Sequence, residues 1–350
     1  DMKPLNDLAP GDELPALDPA VKYTATYWDA SVHDPERLGM DLLADALRAG
    51  EDRARAANYT AAAGLEPGGV ILHDRVSGER FAFSADLVVN VTGPWADLTN
   101  EALGDETAFM GGTKGSHVVL DHPELLAATG GREIFFEHSD GRIVLIHPLK
   151  GRVLVGTTDL EHDMREPAVC TEAEVDYFFD LIGHVFPGIG VDRSHVVHRM
   201  SGVRPLPRHG DQAPGFVSRD YRVERRTVAG GAAGTGGSGG SAGAAQSVLT
   251  LVGGKLTTFR ASAETLADRA LAELGAERTV STRDLPIGGG AGFPVDDRGY
   301  EAWIARRAER LPRRRIAILL ARYGTRADEV LDFIEQHPGD RPLETEPRYS

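Results

Sequence analysis

Apolar positions along this chain follow two spacings, and the switch between them marks its elements. In Val248 to Arg260, VLTLVGGKLTTFR, the run of Leu249, Leu251 and Val252 reads as a buried strand. Leu256, Phe259, Leu266 and Leu271 then begin the apolar face of a helix. Between them Gly253 and Gly254 let backbone approach a ligand closely, and Lys255 adds a positive charge beside the N–H groups of Leu256 and Thr257 at a helix start. An ordinary strand-to-helix turn with a solvated lysine has the same local sequence. Ala85 to Asp97 repeats the design: a β-branched run ending on Thr92-Gly93 predicts a strand buried on both faces, as in a parallel sheet, with Pro94 opening the next helix. Ligands of such sheets lie outside the carboxyl ends of the strands, which makes Thr92 and Gly93 candidates for backbone contact.

The remaining stripes give the organisation. Residues 1–28 read as a linker, with a strand-like pattern only from Tyr23 to Asp29, and Asp34-Pro35 starts a helix with Leu38, Met40, Leu42, Leu43, Ala46 and Leu47 on one face. Ala56 to Thr60, Gly69 to His73 and Glu79 to Ser84 predict short strands of a small insertion. Thr113 to Leu120 is a strand with polar residues at its entry, and Arg142 to His147 pairs with Arg152 to Asp159 across Leu149-Lys150-Gly151. Thr171 to Glu174 is a capping box, followed by the buried stripe Val175, Phe178, Phe179, Ile182 and Val185. His195 to Pro207 is a strand that Pro205 terminates, leaving Arg204 at its end, either aimed into a cleft or on the surface. Helical stripes around Trp303 to Arg310, Ile316 to Tyr323 and Ala327 to Ile334, with Gly324 as a cap, form a small closing module.

The chain has 350 residues and 41% hydrophobic content, enough for two domains. Its formal charge of -15 argues against a nucleic-acid surface, and the short Arg306 to Arg315 run reads as a solvated helix face. One cysteine, Cys170, excludes an internal disulfide and a cysteine-based metal site, so no metal centre is expected, and it fits a reducing cytoplasm. No apolar run reaches membrane-spanning length, which leaves peripheral attachment open.

Ala229 to Ala245 is a low-complexity glycine-rich loop. Within it Gly234 to Gly239 satisfies G-x-G-x-x-G, the dinucleotide fingerprint. Arg222 to Arg226 precede it and a strand follows, so no helix start exists there to receive a pyrophosphate, and the match is fortuitous.

Taken together, TGPWAD, KGSH, GTTD, SGVRPL and GGKLTTFR, in this order and spacing, resemble the FAD-dependent (respiratory) glycerol-3-phosphate dehydrogenase family over roughly residues 23 to 335. ARYGTRADEVL resembles the family's C-terminal helical domain. The family opens with a strand, a glycine-rich turn and a helix that hold the FAD pyrophosphate, and no such unit is recognisable here. The expected fold is therefore α/β with α+β: an incomplete FAD-binding Rossmann-like domain (29–105 and 199–275, with the loop at 229–245), an antiparallel-sheet substrate domain (106–198) and a helical domain (276–350). Weak FAD binding is expected from this reading.

The resemblance implies oxidation of sn-glycerol 3-phosphate to dihydroxyacetone phosphate, with FAD taking a hydride from C2 and a quinone at the inner membrane surface taking the electrons. An oxygen-using oxidase and an inactive fragment are the alternatives, and a homodimer is left open. Arg204 and Lys255 match the family's substrate-facing cations, and His117 in KGSH is the candidate base, against a structural role. Thr92, Gly93, Gly253, Gly254, Leu256 and Thr257 would meet the flavin. Thr158 and Asp159 would line the substrate layer or form a turn.

Overall fold

The computed structural model describes residues 2–4, 17–28, 32, 34–67, 69–208, 220–229 and 245–339. They divide into two units. The first holds residues 1–28 and 59–279, the second residues 29–58 and 280–350.

In the first unit an antiparallel sheet is built around β7 (Thr113–Leu120). On one side β7 pairs with β12 (Val196–Arg204), with Arg204 opposite Thr113, Gly202 opposite Gly115 and Met200 opposite His117. On the other side it pairs first with β10 (Arg152–Gly156), Gly156 opposite His117, and then, after a break at Thr157 to Asp159, with β11 (Leu160–Glu161). β9 (Ile143–Leu149) and β8 (Ile134–Glu137) complete the order. The β9–β10 turn falls where the sequence predicts it. Its central residues Lys150 and Gly151 have φ of 50° and 86°, the left-handed pair that a tight hairpin needs.

One face of this sheet is closed by α4 (Glu172–Val185), which starts at the predicted capping box: Glu174 N donates to Thr171 Oγ1, and Thr171 N to Glu174 Oε2. Val175, Phe178, Leu181, Ile182 and Val185 pack on Val118, Leu120, Val153 and Val155, all essentially inaccessible. Phe179 is only partly buried and Leu181 takes the central place. α3 (Pro123–Ala128) adds Leu125 to the same core.

A second layer is a three-stranded sheet, β13 (Arg222–Val228), β14 (Gln246–Val252) and β6 (Val88–Asn90), with β14 antiparallel to β13 and parallel to β6. The long buried strand expected from Ala85 onward is corrected here: β6 spans three residues at an edge, with Val89 and Val91 exposed. α2 (Ala96–Ala102) follows it, and α5 (Phe259–Glu273) follows β14. A meander of β3 (Thr60–Glu66), β4 (Gly69–Asp74) and β5 (Arg80–Phe83) packs Val70 against Leu103, Val228 and Val248. Its first strand starts at Thr60, where the expected one ends.

The described residues among 1–28 do more than link. β1 (Met2–Pro4) pairs with β2 (Tyr23–Ala25), Leu17 packs on the core under α4, and Asp18 N donates to Val185 O. Positions 230–244, which include the rejected fingerprint, lie outside the described residues.

The second unit is helical: α1 (Pro35–Gly50), α6 (Asp297–Ala305), α7 (Arg313–Tyr323) and α8 (Ala327–Gln336). Trp303, Ile304, Ile316, Leu320 and Leu331 form its core. The expected assignment of 29–105 to one cofactor domain is therefore corrected, because Asp41 and Asp45 of α1 both pair with Arg326, and Gly288 N donates to Asp45. Nor is the arginine run simply solvated. Arg307 lies 3.5 Å above the Trp303 ring and pairs with Asp328, while Arg310 bonds Asp332 and Glu335. Among the described residues no helix is long and apolar enough to cross a membrane.

Candidate functional site

The parallel register of β6 and β14, Asn90 opposite Thr250, makes the chain leave both strands at one edge of the sheet. It leaves β6 through a 3-10 turn at Gly93–Trp95 and β14 through Gly253-Gly254. All three glycines have positive φ: 60° at Gly93, 83° at Gly253 and 101° at Gly254. A Cβ on Gly253 would sit 2.5 Å from Asp220 O and 3.3 Å from Pro207 Cγ, whereas one on Gly93 would meet nothing within 4 Å.

A buried amide network fastens this edge. Asn90 Nδ2 donates to Ala96 O (2.9 Å) and Asn100 Oδ1 (2.7 Å), and its Oδ1 accepts from Thr92 Oγ1 (2.7 Å). Thr250 Oγ1 donates to Asn100 Oδ1, so both strands hold α2. Asp97 accepts from Thr107 Oγ1, Phe109 N and Met110 N, fixing the crossing into β7. The polar residues of TGPWAD thus set the path of the chain, and its glycine leaves the open ground.

Alternation along β7 sorts KGSH between two faces. Lys114 and Ser116 turn towards α4; Thr113, Gly115 and His117 take the other side, with their partners Arg204, Gly202 and Met200 on β12. Two glycines shape this second face. A Cβ on Gly156 would lie 2.8 Å from Cγ of the His117 ring, and one on Gly115 would lie 2.6 Å from Cζ of Arg204. The imidazole therefore lies across β10 and the guanidinium reaches across β7.

Beyond Gly115 Arg204 meets the break between β10 and β11. Its Nη1 donates to Asp159 Oδ1 (2.6 Å) and to Thr158 O (3.1 Å), and its Nη2 to Thr157 Oγ1 (2.8 Å). His117 is largely enclosed there. Burial, and then the nearby Arg204 charge, lower its imidazole from 6.5 to about 4. β12 also runs beside the Gly93–Trp95 turn, and Gly111 N donates to Leu206 O, which brings this face to the strand-end edge.

Behind the break, the Thr158 side chain is 3% exposed and points into the α4 side. Its Oγ1 accepts from Ser116 N (3.0 Å) and donates to Glu174 Oε1 (2.7 Å). Glu174 Oε2 accepts from Lys114 Nζ (2.9 Å), Thr171 N (2.8 Å) and Thr171 Oγ1 (2.9 Å). Burial pushes this carboxyl up, but the donors from Thr171, Lys114 and Thr158 more than reverse that and hold it at about 2.

His117, Arg204 and Asp159 come together as a group. Thr158 is a correction to the expected substrate-lining set, because its hydroxyl is used on the opposite face and only its carbonyl meets Arg204. Lys255 is exposed and forms no ion pair among the described residues. Its segment meets that of Arg204 through the Pro207 ring against Gly253. Leu256 and Thr257 are also exposed, in a 3-10 turn ahead of α5. The sequence pattern does not single out Gly115 and Gly156, whose only local trace is the small residues within KGSH and GTTD, and it marks Glu174 only as part of the capping box.

The family model described as FAD dependent oxidoreductase matches residues 4–250. A glycerol-3-phosphate dehydrogenase from Synechocystis sp. is 30% identical over 349 residues, covering 93% of this chain and 59% of that protein. An aerobic glycerol-3-phosphate dehydrogenase from Staphylococcus aureus is 27% identical, covering 89% and 55%. The chain thus spans somewhat over half the length of these curated relatives. The crystal structure of the glycerol-3-phosphate dehydrogenase from Bacillus halodurans, complexed with FAD, has the same fold over 86% of this chain and 56% of its own, with a TM-score of 0.67 at 23% identity.

Proposed function

Since the chain belongs to the FAD-dependent oxidoreductase family, we propose that it carries the catalytic face of an enzyme oxidising sn-glycerol 3-phosphate to dihydroxyacetone phosphate. The carrying observation is the joint placement of His117 and Arg204 over Gly156 and Gly115, beside the edge where β6 and β14 end.

The strand-end residues suit the ring end of FAD. Gly93 leaves open ground beside the partly exposed backbone of Gly253 and Gly254, while Lys255 brings positive charge next to the turn Leu256–Thr258. Bound FAD would supply the hydride acceptor for C2. The chain's own groups do the rest. Arg204 offers a planar cation for the phosphate dianion, with Lys255 the second cation on the adjoining segment. Asp159 and Thr157 hold the guanidinium plane from behind. His117, neutral above about pH 4, takes the C2 hydroxyl proton. Its lowered basicity is the cost of its enclosure, and the gain is that the base form is present throughout the neutral range.

A membrane quinone is the proposed acceptor, reached by peripheral attachment at the inner membrane face. The test is anaerobic addition of glycerol 3-phosphate to the FAD-loaded protein. Bleaching of the visible flavin band by this substrate, and not by glycerol, is expected; an unchanged band with both removes the reading. Dye reduction without matching peroxide in air supports the quinone, and stoichiometric peroxide would replace it with oxygen.

A further inference from the structure

Glu174 stands on the far side of the sheet from His117 and Arg204, yet it is tied to them by one residue. Thr158 passes through the layer: its hydroxyl is bonded to Glu174 Oε1 (2.7 Å), and its carbonyl takes Arg204 Nη1 (3.1 Å). The neighbours of Thr158 provide two more acceptors of the guanidinium, Thr157 Oγ1 and Asp159 Oδ1. The break between β10 and β11 has no ladder partner of its own to fix it, and Ser116 N, which a continuous strand would engage with backbone, is bonded by Thr158 Oγ1 instead. The position of that hydroxyl therefore bears on where these three acceptors of Arg204 among the described residues lie.

From these contacts we infer that Glu174 is a positioning residue: through Thr158 it sets the docked orientation of Arg204, and so where the proposed substrate's phosphate is held. The inference rests on the reading of Arg204 as the phosphate cation. The carboxylate divides its work. Oε2 closes the capping box of α4 and pairs with Lys114; Oε1 alone serves the break. Both Lys114 and Glu174 are more than nine-tenths buried, so the pair is fixed, and Lys114 is further held by Val169 O (2.7 Å). A cap needs only a carboxylate at this position and makes no use of the second oxygen. The second oxygen of Glu174 is engaged by the buried Thr158 hydroxyl beneath the arginine clamp, outside the cap.

The two functions separate by substitution. Thr158→Val keeps the shape and the cap but cuts the link; Thr171→Ala removes the cap hydroxyl and spares the link; Thr158→Ser restores it. Two readouts are taken on the full chain. The first is the NMR titration of the His117 imidazole, which senses the Arg204 charge and requires neither substrate nor FAD. The second is the KM for glycerol 3-phosphate of the FAD-loaded protein. Thr158→Val is expected to raise the His117 midpoint by about half a unit or more as the guanidinium moves off, and to raise KM about tenfold with a smaller change in kcat. Thr158→Ser should return both towards the parent. Thr171→Ala should lower the melting temperature and move neither. An unchanged His117 midpoint in Thr158→Val, or an equal shift in Thr171→Ala, overturns the inference. Absence of any turnover with glycerol 3-phosphate contradicts the proposed function instead, and the imidazole titration still decides the positioning role.

Discussion

Gly115→Ala sets two opposite effects against each other at one atom. In an extended strand, alanine in place of glycine restricts the unfolded chain and should stabilise by about 0.5–1 kcal/mol. The new Cβ, however, would stand 2.6 Å from Cζ of Arg204, where carbon contacts relax only at about 3.5–4.0 Å. The guanidinium must retreat by about 1 Å or more, which takes the bonds to Asp159 (2.6 Å), Thr157 (2.8 Å) and Thr158 O (3.1 Å) beyond useful length. Hydrogen bonds to a charged group contribute about 1.5–3 kcal/mol each, and three on one group overlap strongly. Asp159, its side chain 25% accessible, is left facing no cation, so the loss is put at about 2–4 kcal/mol. Loss exceeds gain, and the net destabilisation is about 1–3 kcal/mol. For a unit of this size the melting temperature falls by about 3–10 °C. Differential scanning calorimetry of the two proteins measures it. A Gly115→Ala protein as stable as its parent, or more so, refutes the idea that bare backbone at this position is what lets Arg204 cross the sheet.

His117 gives a pH signature. Its folded value of about 4 lies below its ordinary 6.5, so between the two the unfolded chain binds the extra proton and stability falls as pH drops. About 1–3 kcal/mol is lost over this window. His117→Gln should flatten that part of the melting profile, and an identical slope would show that the imidazole is not held neutral. In the helical unit, Arg307→Met removes the Asp328 pair and the stacking over Trp303, and should cost about 1–2 kcal/mol. Hydrogen exchange should accelerate in α6 to α8 and stay unchanged in the antiparallel sheet; equal exchange everywhere would return the arginine run to a solvated face.

Elements specified by neighbouring residues were legible in the sequence. The capping box ahead of α4, the Lys150-Gly151 turn and the alternation in β7 each carry their cause within a few positions. The motifs KGSH and SGVRPL likewise contain His117 and Arg204, which the structure brings to one face of the sheet. What escaped was set by register between distant segments. Gly115 and Gly156 matter because β12 brings Arg204 past one and β10 lies under His117 at the other, and no local pattern encodes those pairings. α1 shows the same limit: its stripe was visible, but its place with the C-terminal helices depends on Asp41 and Arg326, 285 positions apart. β6 fell short of its expected length because apolar β-branched residues such as Val89 and Val91 fit a strand without requiring burial on both faces.

The proposed convergence of Arg204, as the cation for the phosphate, and the His117 imidazole on one face is tested most directly by anaerobic titration of FAD-loaded Arg204→Ala with glycerol 3-phosphate. The visible flavin band should be retained, and half-reduction should require about 100-fold more substrate than in the parent protein, as expected for losing a charged clamp of about 3 kcal/mol. Half-reduction at the parent's substrate concentration would contradict the placement of the phosphate on Arg204.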